Sequence, residues 1–315
     1  MVEGIEELQQ ILRDDPYNFQ ARRSLSIALL DAGFNEEAKK NLLYLVRTFP
    51  DNAELLYNLG IAYEKLKQYE KAENAYIRAI ELSPETDFFY NLGITFVEEE
   101  KYDMAIPVFL KVVEVEPEDS NTLFNLGLCY FKTKQYDLAL ENFQKTVKLN
   151  DNDLFAHFYM GNIFKIEGLL DLAIEKFNKV LTLSPDYSWA YYNLGAIAYE
   201  TGDTENAIFY LKNTIKYNPN DIGAYKILNK IYLKQERYME ALDLIKDAME
   251  NNPQNGDLYY NYAQIFKCQG DIEKYYNALK ITVTNNATLT YPFEVVQKEL
   301  KTVGASIREE EGQEE

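Results

Sequence analysis

The chain has 315 residues, 47% of them hydrophobic, with 26 Tyr and 17 Phe against only 14 Gly and 9 Pro. That much apolar material excludes wholesale disorder, and the length exceeds one ordinary globular core, so several domains or a repeat array is expected. The 32 basic and 51 acidic side chains leave a net charge of −19, a field that disfavours nucleic-acid and membrane-surface roles.

The first ten residues, MVEGIEELQQ, are acidic and lack the apolar stretch of a secretory signal, and no apolar run approaches membrane-spanning length. Cys129 and Cys268 lie far apart in no metal-like spacing. A reducing, cytoplasmic location is the expectation.

Taken in chain order, Ile5, Leu8, Ile11 and Leu12 place an apolar stripe on a short helix ending before Pro16, which makes residues 1–16 an N-terminal cap. Residues 17–289 then repeat. Gly60, Gly93, Gly127, Gly161 and Gly195 are spaced 33 or 34 apart. Pro16, Pro50, Pro84, Pro117, Pro185, Pro219 and Pro253 keep the same beat, with Asp151 in the one gap. Ala38, Ala72, Ala105, Ala139, Ala173, Ala207 and Ala241 form a third register. Within one period, AELLYNLGIAYEKLKQYEKAENAYIRAIELSP, apolar residues recur twice at helical spacing around a short polar turn. The glycine and the alanine mark where the two helices cross closely, and the proline separates one pair from the next. Gly33, Gly168, Gly202 and Gly270 fall in the turns inside pairs, where left-handed backbone suits glycine.

The units read as 19–52, 53–85, 86–119, 120–153, 154–187, 188–221, 222–255 and 256–289. Ser26, Asn229 and Ala263 replace the glycine in three of them, Tyr275 replaces the last alanine, and Pro107 sits near the start of a second helix. Tyr291–Val303 carries another amphipathic pattern, so 290–304 is read as a C-terminal capping helix. Residues 305–315 are read as a disordered acidic tail.

These residues resemble the tetratricopeptide repeat (TPR) family. Its pattern W-x2-L-G-x2-Y, followed by A-x3-F and P, reads here as Leu56, Leu59, Gly60, Tyr63, Ala72, Tyr76 and Pro84. The resemblance implies an all-α, right-handed superhelical solenoid of eight helix-turn-helix units with flanking terminal helices. It also implies that positions two, five, six, nine, twelve and thirteen of each first helix face a concave groove.

Position six is asparagine in five units: Asn58, Asn91, Asn125, Asn193 and Asn261. An amide both donates and accepts, so such a row could hold an extended peptide backbone independently of its sequence. Position five is aromatic as Tyr57, Tyr90, Phe124, Phe158, Tyr192 and Tyr260, with Phe131, Phe155, Trp189 and Tyr199 nearby, a pattern suited to an interface. Groove charge is uneven. Early units contribute Asp31, Glu54, Glu64, Asp87 and Glu98 against Arg23 and Lys65. Later ones contribute Lys165, Lys226, Lys230, Lys234 and Lys267 against Glu200 and Asp257. Lys226, Lys230 and Lys234 stack four apart on one helix and repel each other unless an anion faces them, either a partner's acidic segment or this chain's Glu309–Glu315. The family's carboxylate clamp is matched only in part, because Lys230 stands where it needs asparagine.

Catalytic patterns are missing from the sequence. His157 is the only histidine and falls at a packing position, Cys129 replaces a small core residue, and no phosphate-cradling glycine loop occurs. The expectation is a non-catalytic adaptor or scaffold, without cofactor or metal, that binds an extended or helical peptide segment of another protein. The alternatives are a self-assembling structural scaffold and a regulatory subunit of an enzyme complex.

Overall fold

The computed structural model describes residues 2–311, and every described element is helical. Helix α1 (Val2–Asp14) precedes the pair α2 (Phe19–Asp31) and α3 (Asn35–Thr48). Next come α4 (Ala53–Lys65) with α5 (Tyr69–Leu82), α6 (Thr86–Glu98) with α7 (Tyr102–Val115), and α8 (Ser120–Lys132) with α9 (Tyr136–Leu149). The pairs α10 (Leu154–Ile166) with α11 (Leu170–Leu183), and α12 (Ser188–Thr201) with α13 (Thr204–Tyr217), follow. Last are α14 (Ile222–Lys234) with α15 (Tyr238–Asn251), α16 (Gly256–Gln269) with α17 (Ile272–Thr284), and α18 (Phe293–Glu311). The chain divides into two compact units, 1–163 and 164–315, with the division inside α10.

The crossing contacts explain the sequence ladders. In the first unit, a Cβ built on Gly60 would lie 2.5 Å from the Tyr76 ring, and one on Gly127 would lie 2.9 Å from Phe143. Both rings are fully buried, so neither has room to retreat. Ala38, Ala72, Ala105, Ala139, Ala173, Ala207 and Ala241 are all 0% exposed, which leaves no space for a longer side chain. Several first helices start behind a polar cap, whereas the N-caps of α3, α5, α6, α7 and α9 make no side-chain hydrogen bond. Asn18, Asn52 and Asp119 accept hydrogen bonds from the backbone N–H groups of Ala21, Leu55 and Thr122. All three caps lie two residues after a ladder proline, Pro16, Pro50 and Pro117. Helix α7 runs unbroken through Pro107.

The turns inside pairs need left-handed backbone throughout. Gly33, Gly168, Gly202 and Gly270 have φ of +75 to +83°, and Lys67, Glu100, Lys134 and Glu236 take φ of +56 to +62° at the equivalent places. Half of these turns therefore hold a residue with a Cβ in a conformation that disfavours it.

Both ends are covered. In the first unit, Ile5, Leu8 and Leu12 of α1 pack on Leu25 and Leu29 of α2. In the second, Val296 (0% exposed), Leu300 and Val303 of α18 pack against Tyr260, Phe266, Tyr275 and Leu279. Helix α18 runs on to Glu311, past residue 304, where the sequence reading replaces it with a disordered tail. The reason is local: Ile307 extends the Leu300–Val303 stripe, and Gly304 is buried where a Cβ would lie 2.8 Å from Tyr276. The fold-back expected of Glu309–Glu315 concerns side chains outside the described residues.

Candidate functional site

First helices meet one another directly within each unit, α2 with α4, α4 with α6 and α6 with α8 in the first, and α12 with α14 and α14 with α16 in the second. Their shared face carries the position-five and position-six residues.

In the first unit these two rows are bonded to each other. Asn91 Nδ2 donates to the Tyr57 hydroxyl at 2.8 Å, and Asn125 Nδ2 donates to the Tyr90 hydroxyl at 3.3 Å and to the Asn121 carbonyl at 3.0 Å. The rings lie between surface and core. Tyr57, Tyr90 and Phe124 are half-buried, with centroids 5.9, 6.0 and 5.7 Å from Tyr76, Phe109 and Phe143 of their own second helices. Each ring thus keeps one edge for solvent while the other touches a buried aromatic. Burial, with the Asp87 carboxylate adding to it, raises the Tyr57 phenol above its ordinary value, so it stays a neutral hydroxyl. Asn58 is half-buried, as is Phe158, whose ring is 5.8 Å from Tyr159. Tyr159, which interrupts the asparagine row, stacks on Phe143 at 5.4 Å.

Thr86, Asp87, Tyr90, Glu116, Asp119 and Asn121 line a polar cleft along this face. Glu64 lies one repeat earlier. Its Oε2 accepts from the Tyr76 hydroxyl at 2.9 Å and Thr95 Oγ1 at 3.3 Å, and burial raises its carboxyl above the usual range. Arg23 is paired with Glu54.

The second unit differs from what the asparagine row predicts. Asn193 and Asn261 are buried, 8% and 4% exposed, and both amide atoms of each are engaged. Asn193 Oδ1 accepts from Lys165 Nζ at 3.0 Å while its Nδ2 donates to the Trp189 carbonyl. Asn261 Nδ2 donates to the Asp257 carbonyl at 2.7 Å, and its Oδ1 accepts from Asn229. These two amides hold helices together and have no free atom for a peptide. Tyr260 is likewise buried, and its hydroxyl donates to Glu299 at 3.2 Å. Tyr192 is half-buried against the start of α14, where a Cβ on Gly223 would lie 2.9 Å from it, and Trp189 is 55% exposed.

The lysine stripe is divided. Lys226 Nζ lies 2.8 Å from Asp257 Oδ2 and 5.2 Å from the Tyr291 ring centroid, so it faces an internal anion and not an open groove. Lys267 Nζ lies 3.0 Å from Glu299 Oε1. Lys230 and Lys234 are exposed. Asp257 also accepts from the Thr290 backbone N–H and hydroxyl, each at 2.7 Å. Burial pushes the Asp257 carboxyl upward, but the Lys226 and Thr290 hydrogen bonds outweigh it and hold it below the ordinary value. Glu299 behaves alike, since burial is outweighed by donors from Lys267, Tyr275 and Tyr260. Sequence reasoning missed both anions as structural partners. Asp257 at position two and an acidic residue in the capping helix were the only signals.

His157 is buried, with Nε2 2.9 Å from the Asp151 carbonyl oxygen. Burial pushes the Cys129 thiol up to about 12, which makes it a poor nucleophile, whereas Cys268 is exposed. Among the described residues no group of three or more His, Cys, Asp and Glu could hold a metal ion, and no helix is long and apolar enough to cross a membrane.

Comparison with known proteins agrees with this architecture. Models described as tetratricopeptide repeat match residues 53–85, 86–119, 120–153, 188–221 and 244–274, and one described as TPR repeat matches 161–202. No curated protein matches the chain. Among solved structures, MamA 41-end from Desulfovibrio magneticus RS-1 is 28% identical with a TM-score of 0.51, over 54% of this chain and 96% of that one. YrrB, titled a TPR protein with an unusual peptide-binding site, is also 28% identical at a TM-score of 0.51, over 58% of this chain and 95% of that one. The Cut9–Hcn1 hetero-tetramer of APC/C aligns over 84% of this chain and 52% of its own at a TM-score of 0.54, and at 18% identity it speaks to fold alone. The repeat ladders, the helix pairs they build and the family models that span more than half the sequence agree: the chain belongs to the tetratricopeptide repeat family.

Proposed function

We propose that this chain is a non-catalytic interaction scaffold that holds an extended or helical peptide segment of a partner protein against its first helices. The observation that carries the reading is the Tyr–Asn row of the first unit. Tyr57, Tyr90 and Phe124 keep a solvent edge, and Asn91 and Asn125 spend an N–H on a tyrosine hydroxyl, which leaves each carbonyl oxygen to accept from a peptide backbone. Half-buried aromatics beside amide acceptors suit a peptide better than a small polar substrate. YrrB, whose title names a peptide-binding site, gives the reading outside support at 28% identity. The sites proposed for contact are Tyr57, Asn58, Tyr90, Asn91, Phe124, Asn125 and Phe158, with Trp189 and Tyr192 in the second unit.

The test is selection of a random peptide library on the immobilised full chain. Recovered peptides should lose affinity for an Asn91→Ala/Asn125→Ala variant by about thirtyfold, on the order of 1 kcal/mol for each of the two lost contacts. Equal binding to the variant would remove the amide row from the function, and recovery of no peptide would remove the scaffold reading itself.

A further inference from the structure

Building on the scaffold reading, we infer that the exposed face of α14 is a docking site for an acidic segment of a partner protein, with Lys230 and Lys234 as its cationic contacts.

The lysines along this face differ in whether an anion already meets them. Lys226, Lys230 and Lys234 stand four residues apart on α14, so successive side chains turn by only about 40° and form one stripe. Among the first-helix lysines of the second unit, Lys226 spends its charge on Asp257 at 2.8 Å, Lys267 pairs with Glu299 at 3.0 Å and Lys165 donates to Asn193. Lys230 and Lys234 have no hydrogen bond, ion pair or ring contact among the described residues and are exposed. They do so in a chain with 51 acidic and 32 basic side chains, where internal carboxylates are in excess. Two like charges one turn apart raise each other's energy, and an external anion relieves that cost.

The surroundings narrow the occupant. Helix α12, the neighbour of α14 in the first-helix row, exposes Tyr199, 39% exposed, at its twelfth position, level in register with Lys230 and Lys234 at the ninth and thirteenth of α14. Aromatic surface beside a cationic pair fits a polypeptide that offers apolar side chains next to carboxylates about 6 Å apart, the rise of four helical residues. The net charge of −19 opposes a long polyanion such as nucleic acid, whereas a short acidic segment meets mainly the local lysine pair. With Lys226 already paired to Asp257, the site offers two free ammonium groups, and their contacts would be charge-assisted and exposed to solvent.

The experiment is fluorescence anisotropy of the full chain with a labelled amphipathic peptide carrying Glu pairs one turn apart beside Leu and Trp. A control peptide carries Lys in place of Glu. The acidic peptide should bind with affinity that falls as salt rises, and Lys230→Glu/Lys234→Glu should weaken it by about tenfold. Lys230→Gln/Lys234→Gln should weaken it less. Thermal unfolding of both variants should match wild type, because the side chains are exposed. No binding of the acidic peptide, equal binding to the charge-reversed variant, or equal binding of the control peptide overturns the inference. So does a lysine effect that disappears when residues 309–315 are deleted, which assigns the stripe to the chain's own tail, or tighter lysine-dependent binding of a single-stranded oligonucleotide. Library peptides that still depend on Asn91 and Asn125 in any of those cases leave the scaffold reading standing.

Discussion

Lys226 of α14 and Asp257 of α16 form an ion pair of 2.8 Å in which the carboxylate is 3% exposed and also receives two hydrogen bonds from Thr290. The pair fastens the segment before α18 to the last two helix pairs. Removing the anion leaves a cation and two Thr290 donors without their acceptor. Asp257→Ala should therefore cost about 2–3 kcal/mol, short of a fully buried pair because Lys226 is 26% exposed. Urea denaturation checks this, and a loss below about 0.5 kcal/mol would show that water replaces the carboxylate.

Acidification should loosen the two units unequally. Asp257 and Glu299 are held below the usual carboxylate range, so their stabilisation is complete above that range and is lost as pH falls through it. Glu64 is held above the range by burial, so its contribution is fully present at low pH and is lost as pH rises toward its raised value. Lowering the pH toward about 4 and below should reduce amide protection, taken relative to intrinsic exchange at each pH, in α16–α18 before α4–α6. Asp257→Asn should flatten the response of the second unit. A uniform loss of protection in both regions would contradict the assignment.

The crossing glycines should rank by clearance. A Cβ meets Tyr76 at 2.5 Å from Gly60 and Phe143 at 2.9 Å from Gly127. Gly60→Ala should lose about 1–3 kcal/mol and Gly127→Ala less, because the helix-propensity gain of alanine offsets a milder clash. Denaturant midpoints in the reverse order would mean that these crossings relax.

The turns offer stabilisation. Lys134 and Glu236 hold φ of +62° and +59°. Glycine there removes the left-handed penalty and should raise stability by roughly 1 kcal/mol for each site, while Gly202→Ala, at φ +83°, should lower it by a similar amount. Differential scanning calorimetry on the three variants decides, and a fall in midpoint for Lys134→Gly would refute the strain argument.

The helix pairs were legible because each ladder residue has a local steric task that recurs every 33 or 34 positions. The left-handed turns were legible only at Gly33, Gly168, Gly202 and Gly270, since Lys67, Glu100, Lys134 and Glu236 carry no glycine to announce them. Position six was misread in the second unit. Whether Asn193 and Asn261 meet a ligand or a neighbour depends on Lys165 and Asn229, partners 28 and 32 residues away that no repeat pattern specifies. Asp257 was hidden for the same reason, as its burial depends on Thr290 outside the array.

The Tyr57–Asn91 bond joins position five of one unit to position six of the next, and Tyr90–Asn125 obeys the same rule. Bonds of that kind are interchangeable. Excision of residues 86–119 would bring Tyr57 beside Asn125, and the same contact could form again across the new junction. The last junctions follow no such rule, because Lys226 needs Asp257 and Tyr260 needs Glu299, each a particular residue in a particular place. Removal or insertion of one whole repeat should therefore be tolerated in the first unit, whereas the last junctions admit no such exchange.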